Sequence, residues 1–171
     1  SVTVLGGTAA APVPQTDTYR YDAVGNRIAH VDPRGLGTAT TFTYDAGNRL
    51  IATTYAAGTD DAPRSLTETF TYDLDGNLVR RQGIGGAGHV TLATYDGLGR
   101  RTSSQDVGTG EVESWTYDAF GNVVAHADVY GTTTARFDGI DRPLMRTDAT
   151  GNVTRYAYAS GGSVTLVTDP R

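Results

Sequence analysis

An all-β fold of tandem strand-turn-strand repeats is what this 171-residue sequence predicts, and three observations carry it. The first is a recurring stretch. Tyr21-Asp22-Ala23-Val24-Gly25-Asn26, Tyr72-Asp73-Leu74-Asp75-Gly76-Asn77 and Tyr117-Asp118-Ala119-Phe120-Gly121-Asn122 are near copies. Tyr44-Asp45-Ala46-Gly47-Asn48-Arg49 and Tyr95-Asp96-Gly97-Leu98-Gly99-Arg100 are variants, and Phe137-Asp138-Gly139-Ile140-Asp141-Arg142 and Tyr158-Ala159-Ser160-Gly161-Gly162-Ser163 are worn copies. Steps of 23, 28, 23, 22, 20 and 21 residues from one aromatic to the next are a repeat period. The second observation is aromatic placement: all aromatic residues except Tyr55, Phe120 and Tyr130 stand at the repeat aromatic or two residues before it. Side chains two apart share one face of a strand. The third is glycine, 22 residues of it, with no sustained helical period anywhere, so no helix is expected.

Taken in order, residues 1–18 carry a short apolar run (Val2-Thr3-Val4-Leu5), read as a leader strand, then a Gly/Ala/Pro loop ending near Pro14, with a disordered leader as the alternative. About seven repeats fill residues 19–171. Asp-x-x-Gly, as at Asp22, Asp73, Asp96 and Asp118, suits a type I turn, with the Asp side chain accepting from the turn's own N–H groups. Four residues after each aromatic stand Gly25, Asn48, Gly76, Gly99, Gly121, Asp141 and Gly162, the residue types that tolerate positive φ. The position is therefore read as a backbone requirement, closing a bulged hairpin.

Return strands follow at Arg27–Val31, Leu50–Thr54, Leu78–Gln82, Arg101–Gln105, Val123–Ala127, Leu144–Thr147 and Val164–Thr168, rich in residues that suit a pleated surface. A second turn then begins at Asp32, Asp106, Asp128, Asp148 and Asp169, eleven residues after the aromatic. Two units depart from the pattern: residues 56–66 lengthen one turn and residues 83–89 make a glycine-rich one. Side by side, such hairpins give a curved antiparallel sheet with its rings stacked in a ladder along one face.

Composition excludes several classes. Net charge is −5, every basic residue is a scattered Arg, and there is no basic stripe for nucleic acid or an anionic membrane surface. With no Cys, thiolate metal sites and disulfides are ruled out. No apolar run reaches the length of a membrane span, and the N-terminus carries no signal-peptide pattern.

The motifs that could carry chemistry each reduce to structure. Gly83, Gly85 and Gly88 spell G-x-G-x-x-G, but a strand-like segment follows where a helix must hold the pyrophosphate. Asp73-Leu74-Asp75-Gly76-Asn77 resembles the start of a calcium loop whose terminal Glu position is Ile84. His30 and His126 share a register but lie four repeats apart, roughly 38 Å at about 4.8 Å per strand, too far to share a metal. Asp22, Asp45, Asp73, Asp96, Asp118 and Asp138 form a regular row, whereas acid–base catalysis needs one positioned pair. No catalytic, cofactor-binding or metal-ligating set is assigned, and the chain is read as non-enzymatic.

The Tyr-Asp-x-x-Gly-Asn and Tyr-Asp-x-x-Gly-Arg units, alternating with Asp32-Pro33-Arg34-Gly35 and Thr147-Asp148-Ala149-Thr150-Gly151-Asn152, resemble the YD-repeat, or Rhs, family over about 150 of the 171 residues. The resemblance implies a β-sheet spiralling into a hollow shell in large secreted or surface proteins: bacterial Rhs and wall-associated proteins, toxin-complex shell subunits and teneurin-like proteins. In bacterial members such a shell encloses a C-terminal toxin. Asp32-Pro33-Arg34-Gly35-Leu36 spells the family's self-cleaving motif, but Arg27 stands where a proline precedes it and six repeats follow, so an inter-strand turn is expected. The expected role is scaffolding, with neighbouring repeats or further copies of the chain as partners through strand addition. A surface module binding glycans or proteins is the alternative.

Overall fold

The computed structural model describes residues 16–31, 39–59 and 62–168. Within them the chain is all β apart from one 3-10 turn, Ala87–His89, in the glycine-rich segment where no helix is expected. Two compact units divide it, Ser1–Thr67 and Glu68–Arg171. The first holds β1 (Thr18–Tyr21), β2 (Arg27–Val31), β3 (Thr40–Tyr44) and β4 (Leu50–Thr59), and the boundary falls within β5 (Ala62–Tyr72). The second continues with β6 (Leu78–Gln82), β7 (Val90–Tyr95), β8 (Arg101–Asp106), β9 (Val112–Tyr117), β10 (Val123–Asp128), β11 (Gly131–Phe137), β12 (Pro143–Thr147), β13 (Val153–Tyr158) and β14 (Val164–Thr168). Among the described residues strand order follows chain order, β1 to β4 in the first unit and β6 to β14 in the second. The described pairings are antiparallel.

The return strands lie where the repeat places them, with β2, β6 and β14 matching to the residue. One expectation is corrected. Residues 56–66 are not a lengthened turn: β4 runs on to Thr59 and β5 begins at Ala62. Added residues in a hairpin can extend both paired strands and keep their backbone groups bonded, which an irregular loop of that length cannot do.

Each hairpin closes at its repeat aromatic with the same irregularity. Arg20 faces Ala29 while Tyr21 faces Arg27, so one extra residue stands on the return strand. The same slip occurs at Tyr44, Tyr72, Tyr95, Tyr117, Phe137 and Tyr158. A bulge of this kind sharpens the local twist and pins the register. Directly opposed pairs are then constant from unit to unit: Tyr19 with His30, Phe42 with Thr53, Phe70 with Arg81, Trp115 with His126.

The two faces differ. Arg20, Thr43, Thr71, Thr94, Thr116 and Arg136, each just before a repeat aromatic, are exposed. The aromatics on the other face are half-buried, apart from exposed Tyr19 and Tyr21. Few residues are fully covered: Ala29, Thr53, Glu68 and Val90 are the buried ones among those described. A single sheet covers its rings only with their neighbours along the ladder.

Candidate functional site

The chemistry-bearing residues of the repeat converge on its turns. In the turn at Asp22 the Gly25 N–H donates to the Asp22 carbonyl (3.2 Å), and the Asp22 N–H donates to the Asn26 carbonyl (2.9 Å). The carboxylate occupies the inside of the loop. Its Oδ1 accepts from the N–H groups of Val24 (3.0 Å) and Asn26 (2.8 Å), and its Oδ2 from the Asn26 side-chain amide (3.0 Å). Asp118 repeats the pattern with Phe120 and Asn122. At Asp45, Asp96 and Asp138 the side-chain donor is the Nε of Arg49, Arg100 or Arg142, each at 2.7 Å. Asn and Arg thus alternate at this position because both place an N–H at the second carboxylate oxygen.

The position four after each aromatic has φ of 95° at Gly25, 60° at Asn48, 90° at Gly76, 74° at Gly99, 98° at Gly121, 63° at Asp141 and 85° at Gly162, as expected of a left-handed site. At Ala159 the carboxylate is missing, yet the Gly162 N–H still reaches the Ala159 carbonyl at 2.9 Å. The backbone turn therefore precedes its clamp.

These bonds hold the carboxyls below their ordinary value. At Asp96 the Arg100 side chain is the leading cause; at Asp45 and Asp138 it is the backbone N–H of Arg49 and Arg142. At Asp22 and Asp118 desolvation pushes upward and the bonds from Asn26 and Asn122 outweigh it. Asp148, bonded by the side chains of Thr150 and Asn152, is lowered from 3.8 to about 2. A carboxylate whose two oxygens are both engaged is a structural clamp, not a poised base.

Consecutive turns also hold one another. Asn26 Nδ2 donates to Asn48 Oδ1 (2.9 Å), Arg100 Nη1 to the Asp118 carbonyl (3.1 Å) and Asn122 Nδ2 to Asp141 Oδ1 (2.7 Å). The repeat tyrosines add a second ladder. Tyr44, Tyr95, Tyr117 and Tyr158 donate their hydroxyls to the carbonyls of Arg27, Leu78, Arg101 and Pro143, at 2.7–3.0 Å. Each acceptor opens a return strand, before the first described pair with the following strand, such as Arg80 with Leu92. The hydroxyl supplies a donor that the ladder does not. Guanidinium groups stack on the same rings: Arg100 lies 4.5 Å from the Tyr117 centroid and Arg142 4.3 Å from that of Tyr158.

The teneurin YD-shell family profile matches residues 8–169. The chain belongs to that family. It is 26% identical over 161 residues to double-stranded DNA deaminase toxin A of Burkholderia cenocepacia strain H111, covering 86% of this chain and 11% of that protein. Among solved structures, the Photorhabdus luminescens Tc holotoxin pore carrying a TccC3 variant superposes with a TM-score of 0.63 at 15% identity, covering 90% of this chain and 9% of that one. A TcdB2–TccC3 complex without its hypervariable C-terminal region gives the same values. At such identities the likeness is one of fold. This YD-shell chain spans about a tenth of the length of the proteins it matches.

Of the residues singled out in the sequence of this YD-shell chain, the row of aspartates is placed in the turns as described. Gly83–Gly88 runs through the 3-10 turn Ala87–His89 into strand β7 and opens no α-helix, and the Gly83 N–H is taken by the His89 carbonyl at 2.7 Å. Asp73 is clamped by Asn77 (2.8 and 2.9 Å), as in the other turns. The Asp32–Leu36 motif, the leader up to residue 15 and Asp169 lie outside the described residues. His30 stacks on Tyr19 (centroids 4.8 Å apart) and bonds Asp17 at 2.8 Å. His126 stacks on Trp115 at 5.4 Å, with Glu113 Oε1 3.8 Å from its Nε2. Sequence reading missed these pairings, although the register contained them: an acidic residue four before the repeat aromatic and a basic one nine after it are Asp17 and His30, Glu68 and Arg81, Glu113 and His126.

Proposed function

We propose that the chain is a non-enzymatic structural module: a stretch of wall in an encapsulating β-shell of a secreted or surface Rhs-type protein that carries a toxin. The observation that supports this most is burial. A domain folded for its own sake hides a core between two layers; here the strands run on in a single order and only Ala29, Thr53, Glu68 and Val90 are buried among the described residues. Hydrogen bonds along the turn edge and the tyrosine ladder tie neighbouring repeats together, as Asn26 to Asn48 and Tyr95 to Leu78, which is what a wall requires. Membership in the YD-shell family and the fold likeness to Tc toxin proteins agree with it. In this reading the enclosed toxin is a separate part of the parent protein, and neighbouring repeats are the chain's own partners.

The aromatic face is the feature that a binding module would use instead, and it sets the test. A glycan-array screen of the chain, with Trp115→Ala and Tyr156→Ala as controls, is expected to return no hit. Specific glycan binding abolished by either change would overturn the scaffolding role in favour of a surface adhesion module.

A further inference from the structure

We propose that Glu113, His126 and Asp128 form a binding site for a divalent transition-metal ion of the zinc type. One ligand atom from each of the three lies within 4.8 Å of the others. They come from the two strands of one hairpin, β9 and β10, with Trp115 directly opposite His126. Side-chain alternation puts Glu113 and Trp115 on the same face of β9, and His126 and Asp128 on the same face of β10.

Comparison among the repeats separates this group from an ordinary cross-strand ion pair. Asp17 just before β1, Tyr19 on β1 and His30 on β2 hold the equivalent positions, and there the acid and the imidazole close to a 2.8 Å hydrogen bond. Glu68, Phe70 and Arg81 hold them on β5 and β6, and the acid and guanidinium form an ion pair. On β9 and β10 the imidazole Nε2 and the Glu113 carboxylate stay 3.8 Å apart, beyond hydrogen-bonding range. A second carboxylate, Asp128, faces the same space. Two acids and an imidazole, open to a common centre and not bonded to each other, are a ligand set.

The group is also held in place. The imidazole is fixed against the Trp115 ring, centroids 5.4 Å apart with the planes 25° from parallel. Asp128 is anchored by the Tyr130 N–H, which donates to its Oδ1 at 2.8 Å. Ligands at about 2.0–2.2 Å from a zinc ion stand roughly 3.4 Å apart at tetrahedral angles, so a rotamer adjustment of the half-exposed Glu113 closes the set. Glu113 and Asp128, though not His126, also line a groove of about 370 Å³ with Ser104, Asp106 and Glu111, from which water can complete the sphere. The imidazole selects among cations: zinc, nickel and copper take nitrogen ligands, whereas calcium and magnesium take oxygen alone.

Trp115 is the chain's one tryptophan and is therefore a built-in reporter. Titrating the metal-free chain with Zn²⁺ by calorimetry should show one saturable site, with Ca²⁺ giving no heat at the same concentration. Cu²⁺ should quench the Trp115 emission, and excess Zn²⁺ should restore it. His126→Ala and Asp128→Asn are each expected to weaken Zn²⁺ binding at least tenfold, while His30→Ala leaves it unchanged. Glu113→Gln, an isosteric change on the exposed rim, gives the same reading should either of the first two fail to fold. Absence of binding up to millimolar Zn²⁺, binding that survives His126→Ala, or Ca²⁺ binding equal to that of Zn²⁺ would each overturn the site.

Discussion

Gly121 sits at φ 98°, and a Cβ built there would meet only the end of the Arg100 side chain at 3.8 Å. Space is therefore not what keeps this position glycine; backbone conformation is. Gly121→Val should destabilise the chain by about 1–2 kcal/mol, the cost of a left-handed conformation for a residue with a Cβ. Gly121→Asn should cost clearly less, since Asn48 holds the same place at φ 60°. Denaturant midpoints of the two variants check this, and equal midpoints would contradict the turn assignment. The clamped carboxylates add a pH dependence whose sign follows from their lowered values. Their stabilisation is present above about 3.8, the ordinary value, and is lost as pH falls towards about 2, the value of Asp148 in the folded chain. Acid unfolding followed by circular dichroism should fall in that window, and Asp148→Asn should reduce its steepness.

Between elements, two contacts carry more weight than their exposure suggests. Tyr95 donates its hydroxyl to the Leu78 carbonyl at 3.0 Å. Tyr95→Phe leaves that carbonyl without its side-chain donor and should cost about 1 kcal/mol, read from a urea titration. Phe137 shows that the position tolerates a ring without the hydroxyl, so the variant should still fold. Glu68 is one of the few buried residues and its partner is Arg81. Arg81→Met strands a buried carboxylate and should cost about 3 kcal/mol; the double variant with Glu68→Gln should recover much of it.

At the scale of the molecule, β14 pairs only with β13 among the described residues, and its residues Val164, Leu166 and Val167 are exposed. An edge strand of this composition is a template for another strand. The isolated chain should associate head to tail, giving a ring or an open filament according to the rotation between copies. Light scattering across a concentration series should show mass rising with concentration. Leu166→Lys, which charges the edge, should suppress the rise. A monodisperse monomer at every concentration would contradict strand addition.

Much of this was legible in the residues themselves. A hairpin turn is decided by neighbours a few positions apart, so the aspartate clamp, the left-handed position and the return strands could be read from local spacing and its repetition. Asn and Arg after the turn glycine were visible as an alternation, but their shared task, one N–H aimed at the second carboxylate oxygen, needed coordinates. The fate of residues 56–66 was not legible, because a loop and an extended hairpin have the same local composition and differ only in which backbone groups find partners. The same holds for Glu113, His126 and Asp128. Their positions were known from the first, but the distance between an acid on one strand and an imidazole on the next depends on register, bulge and rotamer together. The turns are determined by the sequence alone because their energetics are short-ranged. Which side chains meet across the strands was decided only by the tertiary structure, because pairing is a property of two segments whose mutual register neither specifies by itself.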